Sequence, residues 1–297
     1  MTTPAITQTI TPVTHDLGQF EVRRVLPSRE RTMVGPFIFV DEFGPADLTG
    51  TDGMSVRPHP HINLSTVTWL FEGAIDHRDS IGSFATIRPG QVNLMTAGSG
   101  IVHSERSPKS ELATNPKMFG MQTWLALPDG KEEIAPAFEA VTDLPIVEDT
   151  CAKAWVIMGD LWGKSAPTTT HADTIYADIV LAATGSLPIE SNADERAVML
   201  VSGEASVDGV ALVPYQLAVL APGKVMTLSS ETGGRIMLLG GEAFTTKRHV
   251  FWNFVSSDRD RINQAKKDWR EGRFPKVPGD EDEFIPLPEL PKTVSYP

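Results

Sequence analysis

The chain has a single cysteine, no excess of basic residues and no long apolar run, and each of these absences excludes a class of protein. With Cys151 as the one cysteine among 297 residues, no disulfide can form within the chain, and a reducing compartment is its simplest setting. The formal net charge is −12 at pH 7, so the chain lacks the basic surplus that binding to nucleic acid or to an anionic membrane requires. We therefore expect no direct nucleic-acid partner and no membrane partner.

The hydrophobic pattern also indicates a protein that is neither inserted in a membrane nor secreted. No apolar segment reaches the length of a membrane helix, and residues 1–5 lack the basic and apolar regions of a signal peptide. The sequence thus predicts a cytoplasmic protein. Its length is sufficient for two domains, each with a sizeable core.

Short β-branched and aromatic segments, separated by Gly, Pro and Asn or Asp, make up most of the chain. They include residues 20–26, 37–40, 66–71, 85–88, 92–95, 121–127, 154–158, 174–181, 197–201, 217–220 and 235–239. This spacing is typical of antiparallel barrels or jelly rolls. Residues 131–149 are acidic, contain two prolines and show little periodicity, so we interpret them as a connector between domains at residues 1–135 and 150–297.

One helix is predicted, over residues 258–271. Ile262, Ala265 and Trp269 recur at i, i+3 and i+7, which forms an apolar stripe. Ser257, three residues before an aspartate, resembles the start of a capping box. The stripe predicts that the helix packs on a barrel.

Two triplets carry side chains that commonly bind metals, His59-Pro60-His61 and His103-Ser104-Glu105. Residues at i and i+2 point to the same face of a β-strand, so four potential ligands converge if the two strands face one another. Packing alone rarely explains such a set. Three imidazoles and one carboxylate suit a divalent first-row metal, with Fe(II) as first choice and Mn, Ni, Cu or Zn as alternatives.

Three further polar residues are given structural interpretations. His77 stands in the charged sequence Asp76-His77-Arg78-Asp79, which is typical of an exposed hairpin end, and we leave it outside the ligand set. Asp41 and Glu42 could be catalytic carboxylates, but such residues at a strand end more often cap turns.

The second half of the chain looks like a copy of the first that has lost its ligands. Both halves contain an apolar strand ending in glycine, at Gly73 and Gly203. When the halves are aligned on such glycines, each of the four candidate ligands is matched with a residue that binds metals poorly. His59, His61, His103 and Glu105 are matched with Ile189, Ser191, Leu228 and Ser230, in that order. The sequence therefore predicts one metal per chain.

These motifs resemble those of a known family. Gly53, the first histidine triplet, Glu72-Gly73 and the run from Thr96 to Glu105 are similar to the N-terminal domain of the pirins, which belong to the cupin superfamily. The resemblance implies an all-β bicupin, with two cupin-type antiparallel β-barrels and a C-terminal helix. It also implies an iron centre in the first barrel, held by the residues of the two triplets, and a second barrel without metal.

The chain departs from the family at one place. It has Ile62-Asn63-Leu64-Ser65 where many pirins carry Arg-Gly-Phe-Glu. The carboxylate of the general cupin motif is therefore absent, and Glu105 is left as the one acidic ligand.

The resemblance implies two alternative functions. Some pirins show quercetin 2,3-dioxygenase activity, so an aromatic flavonol-type molecule and O2 would be the substrates and Glu105 the catalytic proton acceptor. Nuclear pirins resemble transcription co-regulators, which implies instead an iron-dependent redox-sensing regulatory protein that binds protein partners. The lack of a basic localisation run argues against a nuclear role, though not against a regulatory one. We favour the enzyme, because an iron site with open positions suits O2 chemistry.

Overall fold

The computed structural model describes residues 4–16, 20–289 and 294–295, and within them antiparallel strands predominate over two helices. The predicted all-β class with a C-terminal helix is confirmed. The chain folds into two compact units: unit 1 is Met1–Thr14, Arg23–Val40 and Asp143–Phe244, and unit 2 is His15–Val22, Asp41–Thr142 and Thr245–Pro297.

The first strands of the chain are β1 (Ile6–Ile10), β2 (Val13–Asp16), β3 (Glu21–Leu26), β4 (Phe37–Asp47), β5 (Ser55–His61), β6 (Leu64–Glu72), β7 (Ile75–Asp79), β8 (Phe84–Ile87), β9 (Val92–Thr96), β10 (Ile101–Arg106), β11 (Lys117–Ala126), β12 (Ala137–Val141) and β13 (Ile146–Glu148). They are followed by β14 (Ala152–Met158), β15 (Asp160–Leu161), β16 (Lys164–Ser165), β17 (Thr174–Leu181), β18 (Ser186–Ile189), β19 (Glu195–Gly203), β20 (Ser206–Val207), β21 (Val210–Ala211), β22 (Leu217–Leu220), β23 (Met226–Ser229), β24 (Gly234–Gly241), β25 (His249–Phe251), β26 (Phe254–Ser256) and β27 (Val294–Ser295). The helices are α1 (Lys109–Thr114) and α2 (Arg259–Arg270).

The same strand order occurs twice. A seven-stranded sheet in the order β12-β9-β6-β11-β4-β3-β2 accompanies a four-stranded sheet in the order β5-β10-β7-β8. The second pair of sheets has the orders β1-β22-β19-β24-β17-β14-β13 and β18-β23-β20-β21. Because β18 and β23 occupy the places of β5 and β10, the structure repeats the arrangement that carries the histidine triplets.

Apolar side chains from both sheets of each pair form the cores. In unit 2, Phe43, Leu70 and Met118 from the larger sheet pack with Ile75 and Ile87 from the smaller one. In unit 1, a larger cluster contains Ile189 and Leu228, which lie on β18 and β23. Neither side chain is a metal ligand, and both are fully buried.

Strand β6 shows how local sequence determines an element. Its residues Leu64–Phe71 are buried throughout, as expected for a β-branched and aromatic run in the middle of a sheet. The chain then reverses at Gly73, where φ is +90° and an added Cβ would lie 2.1 Å from the carbonyl oxygen of Lys117. Only glycine fits this position.

Helix α2 confirms the predicted segment but not its cap. Ile262 and Ala265 are buried against Phe254, while Trp269 is half-buried at the edge of the same cluster. The N-cap is Asp258, whose side chain accepts a hydrogen bond from the backbone N–H of Asp260. The proposed cap at Ser257 is therefore wrong; its hydroxyl and backbone N–H donate instead to the carboxylate of Glu132.

Two other interpretations are corrected. The supposed connector at 131–149 contains β12 and β13, which pair with β9 and β14. Their side chains are mostly exposed or half-buried, so they lack the apolar alternation that reveals an inner strand. Asp41 and Glu42 do not cap a turn, because both are buried inside β4, which continues to Asp47.

The compact units also depart from a division into residues 1–135 and 150–297. Strand β1 pairs with β22 and so lies in unit 1, whereas Thr245–Pro297 lies in unit 2 together with both histidine triplets. Within the part of the chain that the structure describes, no helix is long and apolar enough to cross a bilayer.

Candidate metal centre

Strands β5 and β10 bring the three triplet histidines together. They pair in antiparallel register, with His59 opposite His103 and His61 opposite Ile101. One nitrogen of each of the three rings lies within 4.8 Å of the others, and all three side chains are buried. The two i, i+2 spacings therefore produce the convergence that they predicted for the imidazoles.

In His59 and His61, a hydrogen bond to a backbone carbonyl determines which ring nitrogen is available to bind a metal. His59 Nδ1 lies 2.9 Å from the carbonyl oxygen of Arg57, and His61 Nδ1 lies 3.2 Å from that of Asn253. A carbonyl oxygen only accepts, so both Nδ1 atoms carry the hydrogen in the neutral ring and both Nε2 atoms keep a lone pair.

The spacing of the nitrogens fits a bound cation. His61 Nε2 and His103 Nε2 are 3.1 Å apart. If His103 Nε2 also keeps its lone pair, the two lone pairs repel one another unless a metal lies between them. Nitrogens that bind one ion at about 2.1 Å, roughly at right angles, are themselves about 3 Å apart. The residues present therefore fit a divalent metal.

Burial keeps the three rings neutral. It lowers the pKa of His59 to about 4 and holds the pKa values of His61 and His103 well below their usual range, with neighbouring imidazoles adding to the effect on the latter two. A metal binds neutral imidazole, so no proton has to be displaced at neutral pH.

Glu105 lies on the same strand but outside this histidine group. The register with β5 shifts between His103, opposite His59, and Glu105, opposite Val56, so the extra residue lies in β5. Strand β10 keeps its alternation, and Glu105 lies opposite His77 on β7. The carboxyl group is buried and its Oε1 lies 3.5 Å from the hydroxyl oxygen of Thr68. Burial raises the pKa of Glu105, against the opposing effects of His77 and Thr68. Its role as a fourth ligand stays a prediction.

His77 is not at an exposed hairpin end, so that interpretation is wrong. The residue is only 2% exposed, and its Nδ1 lies 3.4 Å from His103 Nδ1. Ile75, His77 and Asp79 are the buried members of β7, whereas the two residues between them are half-buried. The period-two pattern beginning at Ile75 was the signal that could have identified His77, because it outweighs the charge of the adjacent residues.

Other residues at the site carry no recognisable sequence signal. The indole of Trp124 meets the ring of His61 edge-on at 4.9 Å between centroids, and Phe138 stacks on His77 at 4.6 Å. Asn253 contributes only a backbone oxygen. Each comes from a segment distant in sequence from the triplets, so spacing could not have revealed them.

A duplicated antiparallel fold with a buried histidine group at one strand pair defines a protein with two cupin domains, and the family comparisons give the same class. The model of the Pirin family matches residues 19–125, and that of the Pirin C-terminal cupin domain matches residues 176–275. A pirin-like protein of Caulobacter vibrioides is 47% identical over 281 residues, which cover 92% of this chain and 96% of that relative. The chain belongs to the pirin family, as its motifs predicted.

Two solved structures extend this result. The crystal structure of a quercetin 2,3-dioxygenase from Acinetobacter baumannii is similar with a TM-score of 0.89 and 35% identity, covering 97% of this chain and 96% of that one. A bacterial pirin from Escherichia coli in complex with nickel(II) has a TM-score of 0.62 and 17% identity, covering 79% and 98% of the two chains. The second likeness concerns the fold alone.

Proposed function

We propose that this chain is a metal-dependent dioxygenase that acts on a flavonol-type, quercetin-like substrate with O2. The observation that carries the proposal is the group of three buried, neutral imidazoles, in which His59 and His61 turn Nδ1 outward to backbone carbonyls. The similar Acinetobacter protein, a quercetin 2,3-dioxygenase, supports the choice of reaction.

The proposed ligands are His59, His61, His103 and Glu105, for one divalent metal per chain. Fe(II) is our first choice because a mixed nitrogen and oxygen donor set with open positions suits it, and Mn, Ni, Cu and Zn are the alternatives. Nickel(II) is the ion named for the Escherichia coli pirin. The use of a single cysteine, Cys151, agrees with a proposed cytoplasmic location, where thiols stay reduced.

Glu105 is the proposed proton acceptor. A metal in this site would supply a Lewis acid that lowers the pKa of the flavonol hydroxyl bound to it. The carboxylate of Glu105 would take up that proton, and its raised pKa makes it a stronger base than an exposed glutamate. Its burial also keeps bulk water from competing for the same proton.

Oxygen uptake with quercetin tests this proposal. Wild-type protein loaded with one metal equivalent should consume O2 only when quercetin is present, and Glu105→Gln should be slower by about 10²- to 10⁴-fold because it removes the basic carboxylate. Glu111→Gln is the matched control. Glu111 lies on α1 and forms an exposed ion pair with Arg88, so this variant should consume O2 at the wild-type rate.

The outcomes separate the two functions. Equal uptake by wild type and Glu105→Gln would remove Glu105 from the mechanism. If neither the wild type nor any variant consumed O2 while iron was measured in the site, the dioxygenase function would be contradicted. The regulatory alternative then requires that a protein partner bind the Fe(II) and Fe(III) forms with different affinities.

A further inference from the structure

His103, His77 and Asp79 form a buried row of three side chains that starts at Nδ1 of His103. His103 Nδ1 lies 3.4 Å from His77 Nδ1, and His77 Nε2 lies 3.2 Å from Asp79 Oδ2. Asp79, His77 and His103 are 0%, 2% and 1% exposed. Strands β7 and β10 hold them in register, with Asp79 opposite His103.

The position of each hydrogen follows from Asp79. Its Oδ1 accepts hydrogen bonds from the backbone N–H groups of Ile81 (3.1 Å) and Ser83 (2.9 Å). Burial alone would raise the pKa of Asp79, but the hydrogen bonds from His77 and Ser83 outweigh it and lower that pKa. The group is therefore a carboxylate, which can only accept.

The hydrogens of His77 and His103 can then be placed in one consistent way. Because Asp79 accepts, His77 Nε2 carries the hydrogen and its Nδ1 keeps a lone pair. That lone pair can accept only if His103 Nδ1 carries a hydrogen. The lone pair of His103 is then on Nε2, the atom that faces His61 Nε2 at 3.1 Å.

His103 differs in this respect from the other two proposed ligands. His59 and His61 are fixed by backbone carbonyls, which no single substitution removes. His103 depends on two side chains. The ring of His77 is itself held by Phe138, which stacks on it with an angle of 16° between the planes.

We propose that His77 and Asp79 are positioning residues that hold His103 in the tautomer whose Nε2 faces the metal. The inference rests on the proposed metal site. Neither residue is a ligand here: both ring nitrogens of His77 are directed at His103 and Asp79, and His77 is outside the three-histidine group. Polar groups around metal ligands typically change metal affinity by 10- to 100-fold when removed.

Asp79→Asn tests the proposal directly. The amide oxygen can keep the hydrogen bonds from Ile81 and Ser83, while its NH2 group would face His77 Nε2 as a donor. His77 must then accept at Nε2 and donate from Nδ1, which forces the hydrogen of His103 onto Nε2. In metal-free protein, ¹⁵N NMR of the imidazoles should show this change at His103, and chelator competition should show a metal dissociation constant about 10- to 100-fold higher.

A matched control separates the loss of charge from the loss of positioning. Asp76 lies on the same strand and accepts from the hydroxyl of Thr86 at 2.6 Å. Asp76→Asn removes the same charge and should leave the tautomer of His103 and the metal affinity unchanged. An equal effect of the two substitutions would overturn the proposal, as would wild-type values for Asp79→Asn.

A second pair of variants leaves Asp79 and its hydrogen bonds to Ile81 and Ser83 unchanged. The amide oxygen of His77→Asn can replace Nδ1 as acceptor for His103, whereas His77→Leu offers none. We expect near wild-type metal affinity for His77→Asn and the loss seen in Asp79→Asn for His77→Leu. In the His77→Asn protein, Asp79→Asn should have no further effect, because its influence passes through His77. Equal affinities for His77→Asn and His77→Leu would contradict the assignment.

The two proposals fail in different ways. Wild-type protein that binds no divalent metal would end the proposed function, yet the ¹⁵N spectra of the metal-free variants would still test the tautomer. Metal binding and oxygen uptake by wild type, with an unchanged His103 tautomer in Asp79→Asn, would overturn the positioning role alone.

Discussion

The indole Nε1 of Trp269 donates a hydrogen bond to the carbonyl oxygen of Ile285 at 3.0 Å. The backbone N–H of Ile285 in turn donates to the carbonyl oxygen of Pro58 at 2.9 Å. Pro58 directly precedes His59. Two successive hydrogen bonds therefore connect helix α2, through the proline-rich segment that follows it, with the strand that carries two of the histidines.

Trp269→Ala should lower the free energy of unfolding by about 2 to 4 kcal/mol, somewhat less than for a fully buried ring. The residue is half-buried and packs against Phe274 and Phe284. Trp269→Phe keeps a ring in this place and loses the hydrogen bond, so it should cost about 1 kcal/mol. Urea denaturation measures both. Equal losses would show that ring packing contributes little.

Metal-free protein should become less stable as the pH falls below about 6.5. The folded pKa of His59 is about 4 and those of His61 and His103 are well below 6.5, the value for an unperturbed histidine. Between these values the unfolded chain binds protons that the folded protein does not, so stability rises with pH over this range and is fully present above it. Each histidine should cost about 1.4 kcal/mol per pH unit within it.

Denaturation curves at pH 7.5, 6 and 5 measure this dependence. His59→Gln should weaken it, whereas His15→Gln, at an exposed residue, should not. A curve midpoint that does not change with pH in the metal-free wild type would contradict the burial argument.

Dialysed wild-type protein should retain one equivalent of metal, and His61→Ala should retain almost none. Strands β18 and β23, which correspond to β5 and β10, place Ile189 and Leu228 in the core of unit 1. Ser230 donates its hydroxyl hydrogen to the carbonyl oxygen of Glu204. Ser230→Ala, which changes the residue aligned with Glu105, should therefore keep the wild-type metal content. Elemental analysis that finds two equivalents, or one surviving in His61→Ala, would refute a single site.

Thr68→Val should move the acid limb of the pH profile of kcat/KM to higher pH. The hydrogen bond from Thr68 lowers the pKa of Glu105, so removing it raises that pKa, and a base that must be deprotonated then works only at higher pH. The shift should be below about one unit, because Thr68 also donates to Gln122 at 2.7 Å. Thr123→Val, which loses a contact to the backbone of Val67, is the control.

The sequence was sufficient for features that depend on local periodicity. The two histidine triplets and helix α2 follow from spacings of two and of three to four residues, and the inner strand β6 follows from its continuous β-branched and aromatic run. His77 was misinterpreted because its charged neighbours suggested solvent, although Ile75 and Asp79 alternate with it. Glu105 shows the opposite problem: alternation places it on the same face of β10 as His103, but its carboxylate lies outside the histidine group, which the triplet does not reveal.

Edge strands and tertiary partners were beyond such reasoning. Strand β12 is mostly exposed or half-buried, and its place in the sheet comes from pairing with β9. Phe138, on that strand, reaches His77 only through this pairing. Asn253 contacts His61 through a backbone atom, which is the same for every residue type. Features of this kind depend on the complete fold.

The hydrogen bond from His61 to the carbonyl oxygen of Asn253 has a consequence for how the protein is made on the ribosome. Most of the strands around the histidines are translated before residue 142, but Ile62 is covered by Phe254 and Ile262, which are translated more than 100 residues later. A gene fragment ending near residue 142 would thus encode both triplets without the segment that orients His61. A metal centre at the proposed ligands would therefore be completed only after Asn253 has been translated, and metal added to such a fragment should not be retained as it is by the full chain.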